Sequence, residues 1–392
     1  MRGNSCSLAA LRLSVLCAML AMTGAAHAAV ISYTDLYTLG TPAGFTFIAP
    51  AFAAGGQVVG NGYGSATGNN EHALLWTPSA PSGIDLNPTG FTYSFAFGAS
   101  GTQQVGYGSG TATGNNNYHA LLWSGSAASA VDLNPAGFTN SLARANSGTQ
   151  QVGFGYGPAT DGNAHALLWS SSAASFVDLS PGFLIAEAYG TDGTQQVGRG
   201  YGPATGYVEH ALLWSGSADS VVDLHPGSEF SATFARGAGG GQQVGYGHGP
   251  ATGFLDHALL WSGSAASAVD LHPSGFIATY AYGANGTQQV GWGFGSATGN
   301  RAHALLWSGS AASLVDLHSV LPASFISSEA RSIDGGAIYG YARDASLNYH
   351  AIAWRIVPEP ASLALLLLAA VGVSLHRDQT LRKPRRQRRG LS

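Results

Sequence analysis

A chain of 392 residues with 56 glycines, 45% hydrophobic residues and only 9% charged ones lacks the high-charge, low-hydrophobicity signature of a disordered protein. Its net charge of −4 is unevenly spread: residues 30–356 hold seven arginines, no lysine and 18 acidic residues, about −11, which excludes nucleic acid as the partner of this body. Abundant glycine and alanine with little charge fits an all-β protein with many turns.

Residues 1–29 predict a secretory signal peptide. Arg2 and Arg12 give the positive start and "LSVLCAMLAMTGA" the apolar stretch. Ala26 and Ala28, around His27, give the small residues that a signal peptidase cuts after. A transmembrane helix is the poorer reading, because the apolar run is only about 13 residues. Both cysteines, Cys6 and Cys17, fall in this segment. The exported chain would therefore have neither disulfides nor thiolate chemistry, although its compartment permits disulfides.

The body is one unit written seven times. "HALLW" starts at His72, His119, His165, His210, His257 and His303, and a degenerate "HAIAW" starts at His350. The spacings are 47, 46, 45, 47, 46 and 47 residues. A Gln-Gln-Val-Gly motif or its equivalent shares the period, starting at Gln57, Gln103, Gln150, Gln195, Gln242, Gln288 and Ala337. An Asp-Leu pair recurs at Asp35, Asp85, Asp132, Asp178, Asp223, Asp270 and Asp316. An alternating segment with a central alanine precedes each glutamine motif, as in "SFAFGAS" and "TYAYGAN".

Each unit predicts four short strands. "TYAYGAN" runs into an Asn-Gly hairpin turn, and "QQVGWG" follows it. "HALLW" comes next after a glycine-rich loop, and "SLVDL" follows a Ser-Gly-Ser turn. Four strands per ~45 residues is the pattern of a β-propeller blade, so the expected fold is all-β, a seven-bladed propeller of four-stranded blades over residues 30–356. The alanine segments suit an innermost strand near the axis, with the bulky Leu and Trp further out. A solenoid would need polar capping repeats, and none is visible. The chain starts on a fourth-type strand, "SYTDL", and ends on a third-type strand. The N-terminal strand is therefore expected to complete blade 7 and leave no open edge.

The pattern of glycine strand, His-Ala-apolar-apolar-Trp and Asp-Leu resembles the HAF-type extracellular repeat family of bacterial proteins, with His-Ala-Leu in place of His-Ala-Phe. The resemblance implies an extracellular, propeller-like protein and no particular activity.

Few constellations carry chemistry. The seven repeated histidines are spread around the ring, whereas zinc needs three or four ligands at one point. They and the seven aspartates are expected to be structural, and no metal or cofactor is expected. Loops such as "GYGPATG" lack the Gly-Lys-Ser/Thr ending and the following helix of a phosphate loop. No catalytic set is assigned, since the inner strands offer only Glu187, Glu329 and Asp334, read as lying in different blades or strand positions, whereas a glycosidase needs two facing carboxylates. Departures from the repeat are the place to look for binding. After the central alanine come Phe97, Arg144, Tyr189, Arg236, Tyr282 and Arg331. Of these, Arg144, Tyr189, Arg236, Tyr282 and Arg331 frame a candidate anion or sugar site at one mouth. The variable loops before each histidine are a second candidate surface: Asn69-Asn70-Glu71, Asn115 to Tyr118, Tyr207-Val208-Glu209, Phe254-Leu255-Asp256 and Asn300-Arg301.

Residues 357–392 close the chain with a Pro-Glu-Pro, an uncharged apolar run from Ala361 to Leu375 and a cluster of arginines. As a helix the run spans roughly 22 Å, short of a ~30 Å hydrocarbon core. The basic end would face the cytoplasm. The order of these parts resembles the PEP-CTERM sorting signal of Gram-negative bacteria, with Val357, Pro358, Glu359 and Pro360 in the recognition motif. That resemblance implies transient anchoring in the inner membrane, processing by an exosortase-type enzyme, and a final place at the cell surface or in extracellular polysaccharide. The expected protein is thus an exported binding or structural module. The alternatives are a glycan-active lyase or hydrolase with its site at the propeller mouth, and a matrix protein with no ligand.

Overall fold

The structure, a computed structural model, describes residues 30–334 and 336–357. The strands form seven four-stranded sheets. In six of them the strands are neighbours in chain order, innermost first, as in Asn140–Ser147, Gln150–Tyr156, His165–Trp169 and Val177–Asp178 of blade 3. Blade 7 instead combines Phe325–Asp334, Ala337–Asp344 and Tyr349–Val357 with the N-terminal strand Val30–Thr38 at its outer edge. The expected closure is present. Asp35 Oδ2 lies 2.8 Å from His350 Nδ1, and the Leu39 amide donates to the Tyr349 carbonyl at 2.8 Å.

Local chemistry explains the elements. At the first hairpin of blade 6, Asn285 Oδ1 accepts from the amides of Thr287 and Gln288, and Gly286 takes a φ of +95° that a side chain would resist. The glycine-rich loops each contain one 3₁₀ turn, such as Ser296–Thr298. There the buried Thr298 hydroxyl accepts from the Gly295 amide at 3.1 Å and donates to the Arg301 carbonyl at 2.7 Å. The outer strands are shorter than "SLVDL" suggests. Blades 2–6 keep only a Val-Asp pair, for example Val315–Asp316. The serines before it fold into a 3₁₀ turn, Ala311–Ser313, where Ser313 Oγ accepts from the Ser308 amide at 2.8 Å and donates to the Ser310 carbonyl at 2.6 Å. A two-residue edge gives another chain little to pair with.

The core lies between blades. Seven tryptophans, one per third strand, are completely buried. Trp169 of blade 3, for instance, packs with Leu122 and Leu133 from blade 2 and its outgoing segment, and with Ala143 of its own inner strand. The central alanines Ala143, Ala188, Ala235, Ala281 and Ala330 have no exposed surface, as a converging innermost strand requires. The repeated glutamines form a second tie. In blades 2, 4, 5 and 6 the second of the pair donates to the first of the preceding blade, as in Gln104 Nε2 to Gln57 Oε1 at 2.9 Å and Gln243 to Gln195 at 2.9 Å. Its own Oε1 takes the amide of the next turn, as with Gly125.

Val357 is the last described residue. The rest of the sorting motif (Pro358, Glu359, Pro360), the apolar helix expected after it, and Ala26 and Ala28 lie outside the described residues. Among the described residues no helix is long and apolar enough to cross a membrane.

Candidate axial binding site

One irregularity recurs in every blade and builds the site. The inner and second strands pair antiparallel, and their register slips by one residue at the same place each time. The skipped residues are Ala51, Phe97, Arg144, Tyr189, Arg236, Tyr282 and Arg331. Each is a β-bulge, which frees one residue from the ladder and re-aims its side chain. The bulge pushes the inner-strand carbonyl into the second strand. A Cβ on Gly153 would sit 1.8 Å from the Leu142 oxygen, and one on Gly245 would sit 1.8 Å from the Phe234 oxygen. The glycine of the repeated Gln-Val-Gly is therefore the partner the bulge needs.

All seven bulge residues line one axial cavity of about 460 Å³. Its five expected members, Arg144, Tyr189, Arg236, Tyr282 and Arg331, do come together, and Phe97 joins them. Ala51 is an addition that the sequence reading missed, because blade 1 has Pro50 where the other blades have their central alanine. The alternation turns out to be pairing. Each guanidinium sits over the aromatic ring of the preceding blade: Arg144 over Phe97 at 4.5 Å, Arg236 over Tyr189 at 4.2 Å and Arg331 over Tyr282 at 4.7 Å. A ring on its own second strand also lies near each: Phe154 at 5.4 Å, Tyr246 at 5.3 Å and Tyr341 at 5.4 Å. Cation–π contacts hold the three cations in place.

Their polar partners differ. Arg331 donates to Glu329 Oε2 at 2.5 Å and to the Tyr341 hydroxyl at 2.6 Å. Arg236 donates to the Tyr246 hydroxyl at 2.8 Å and has no carboxylate partner among the described residues. Arg144 has no hydrogen-bond partner among them. The Nε of all three is buried and unpartnered. Burial lowers the pKa of Arg144 below the ordinary guanidinium value, opposed by Tyr189 and Glu187 and reinforced by the like charge of Arg236. Burial, with Glu187 beside it, raises Tyr189 beyond the ordinary phenol range, so it is a neutral donor to Glu187.

The inner-strand carboxylates lie in different blades, Glu187 in blade 4 and Glu329 in blade 7, at equivalent positions. Each precedes the central alanine of its blade and pairs across to the equivalent second-strand residue, Arg199 or Tyr341. Asp334 lies exposed at the end of its strand. Arg199 Nε contacts Glu187 at 3.2 Å, and its Nη1 holds Glu209 from the variable loop. Asp256 accepts from the Tyr280 hydroxyl at 2.9 Å and lies 3.0 Å from His248. The variable loops thus send Glu209 and Asp256 into bonds with strand residues. Tyr118 joins Tyr107 at 5.6 Å between ring centroids. Tyr207 and Phe254 stay exposed. Aromatic pairs join the inner and second strands behind the lining residues: Phe95 stacks on Tyr107 at 4.9 Å, and Tyr280 meets Trp292 at 4.7 Å. The second-strand members, Tyr107, Arg199, Tyr246, Trp292 and Tyr341, escaped the sequence reading. Their shared place after Gln-Val-Gly, opposite the residue before the central alanine, was the available signal.

The repeated histidines sit elsewhere. Each bonds the repeated aspartate of its own blade at 2.6–2.8 Å. The aspartate's other oxygen takes the amide two residues on, as with Asn87 and His225. Among the described residues no three potential ligands gather for a metal.

No protein-family model matches this chain, and no curated protein does. Solved structures match it in shape. One is a puromycin hydrolase mutant complexed with PGG, at a TM-score of 0.51 and 13% identity over 78% of this chain and 51% of that one. Another is the β-propeller domain of the Trilobed protease from Pyrococcus furiosus, at a TM-score of 0.53 and 9% identity over 79% and 95%. This chain spans about half the length of the puromycin hydrolase. The Pyrococcus furiosus domain is described as having an open velcro topology, whereas here the strand Val30–Thr38 completes blade 7. At these identities the likeness is one of fold.

Proposed function

We propose that this chain is an exported surface or extracellular-matrix protein whose propeller is a binding module for extracellular polysaccharide. Signal peptidase cuts after Ala28, and the PEP-CTERM-type ending, from Val357, holds the protein briefly at the inner membrane until an exosortase-type enzyme processes it. The repeat's resemblance to extracellular HAF-type proteins supports the same compartment. One observation carries the binding role: bulges in all seven blades turn one side chain each toward a common cavity, and six of the seven are arginine or aromatic. Fixed guanidinium donors and π faces are the groups that hold saccharides and their anionic substituents.

The enzyme alternative is disfavoured. A glycosidase needs one carboxyl free to give a proton and another free to attack or to activate water. Glu187 is held by Arg199 and Tyr189, and Glu329 by Arg331 and Tyr341. Two measurements test the proposal. A glycan array probed with the purified body should show binding that the combined exchange Arg144→Ala, Arg236→Ala and Arg331→Ala abolishes; no binding to any glycan refutes the binding role. Mass spectrometry of the secreted protein should find the chain starting at Ala29 and ending near Val357. An intact ending on the mature chain refutes processing.

A further inference from the structure

We infer that the three axial arginines are not equivalent: Arg144 and Arg236 form the ligand's anion subsite, and the ligand is a saccharide bearing an oxyanion, as in a uronate or sulfated polysaccharide. The inference rests on the binding-module reading above and sharpens it.

The charge balance around the cavity singles out these two. Arg331 is neutralised by Glu329, its ion-pair partner at 2.5 Å. Arg199 is more than neutralised by Glu187 and Glu209. Arg144 and Arg236 have no ion pair among the described residues, and each is deeply packed beneath aromatic rings. A desolvated guanidinium without an anion is expensive, and a ligand oxyanion relieves that cost. The two side chains also sense each other's charge, with Tyr189 between their blades and Glu187 beside it. A point between two like cations is where one anion gains from both.

Stacking leaves the right donors open. A ring over the face of a guanidinium occupies its plane and leaves its edge, where the N–H groups point. Arg236 spends one edge donor on Tyr246, and Arg144 spends none among the described residues. A bare inorganic anion would leave most of a 460 Å³ cavity unfilled. Asn146 also lines the cavity, and its Oδ1 is a buried acceptor without a donor. A sugar hydroxyl is a donor of the kind it needs. Oxyanion and hydroxyls together describe an acidic sugar.

The test is calorimetric titration of the purified body with four probes: oligogalacturonate, sulfated dextran oligosaccharide, neutral dextran oligosaccharide and inorganic phosphate. The two acidic oligosaccharides should bind at least about tenfold more tightly than the neutral one, a margin set by one or two charge-assisted hydrogen bonds, and should weaken as salt rises. The tighter of the two identifies the oxyanion as carboxylate or sulfate, and either supports the assignment. Arg144→Gln and Arg236→Gln should each cost about tenfold or more, and each clearly more than the charge-neutral exchange Arg331→Gln with Glu329→Gln at the third arginine of the cavity. Thermal unfolding of each variant guards against misfolding. If a Gln variant fails to fold, Arg144→Lys or Arg236→Lys keeps the charge, loses the fork, and should still show a partial loss. Equal affinity for neutral and acidic oligosaccharides overturns the inference and leaves the binding role standing. So does an Arg331–Glu329 exchange as damaging as Arg144→Gln, or phosphate binding as tight as oligogalacturonate. Failure of every saccharide to bind overturns the binding role itself.

Discussion

Two sets of seven equivalent positions run round this propeller, and they have behaved in opposite ways. The histidine–aspartate belt is the same in every blade, including blade 7, where the aspartate comes from the other end of the chain. The axial positions hold one alanine, three arginines and three aromatics. In the belt each pair serves only its own blade, joining third strand to fourth, so one solution works seven times. At the axis the side chains of different blades meet in one place, and seven copies of one residue would crowd or repel. Uniformity marks the scaffold, and divergence marks the cavity proposed as the binding site.

Three changes break or sharpen that contrast. The largest effect is expected from Gly245→Val, which places side-chain atoms against the Phe234 carbonyl at the bulge. No rotamer removes a Cβ clash, so the loss should exceed about 4 kcal/mol, in the range reserved for core disruption. Chemical denaturation followed by circular dichroism measures it, and an unchanged midpoint would falsify the bulge as the element that builds the axis.

A middle effect belongs to the belt and appears on acidification. In blades 4–6 a second histidine stacks on the first: His225 on His210 at 3.9 Å, His272 on His257 at 3.7 Å and His318 on His303 at 4.0 Å. Burial, then the charge of His210, pushes His225 down from 6.5 to about 4, and the same causes lower His272 and His318. A folded-state pKa below the unfolded one means that the unfolded chain binds more protons. Stability from these groups is therefore complete above pH 6.5 and drains away as the pH falls towards about 4. Blades 1 and 2 carry Asn87 and Asn134 at this place, making the corresponding bonds without a titrating group. The triple exchange His225→Asn, His272→Asn and His318→Asn should flatten the pH dependence of the unfolding midpoint between pH 6.5 and about 4. A slope unchanged from the parent chain rules the stacked pairs out as its source.

The smallest effect on stability, with a large one on binding, is expected at the axis. Arg144→Met removes a buried cation that has no anion and keeps an apolar stem against Phe97. Replacing buried charge by a well-packed apolar group is often neutral or stabilising by about 1 kcal/mol or more. Thermal unfolding should show no loss while acidic-glycan binding falls. A clear drop in stability would make Arg144 a structural member like the belt histidines.

The legible parts of this protein were those carried by period and residue size. Seven "HALLW" copies set the blade count, the small central alanines set the innermost strand, and the unpaired "SYTDL" at the start required closure on blade 7. The histidine–aspartate bond was readable too, because the partners keep a constant separation of 13 residues in blades 1–6. The bulge was not. A one-residue slip leaves no mark on a pattern that alternates on both sides of it, and only the glycine opposite betrays it. Without the bulge, the alternation of Phe97, Arg144, Tyr189, Arg236, Tyr282 and Arg331 read as a row of lining residues. Three stacked pairs plus Ala51 could not be inferred, since stacking joins neighbouring blades. The ion-pair group at Glu187, Arg199 and Glu209 stayed hidden for a related reason. Its members lie on an inner strand, a second strand and a loop, and only the sheet register brings them together.

A bulge that frees one position per blade from pairing also frees it from the demands of the fold. Each unit then behaves as an interchangeable cassette: a body of about 46 residues built on one repeated pattern, with its axial letter free to differ. Recombination between such near-identical segments would swap letters while leaving the inter-blade packing intact. The axis is in that sense a seven-letter word, and a lineage can respell it one blade at a time without learning to fold again.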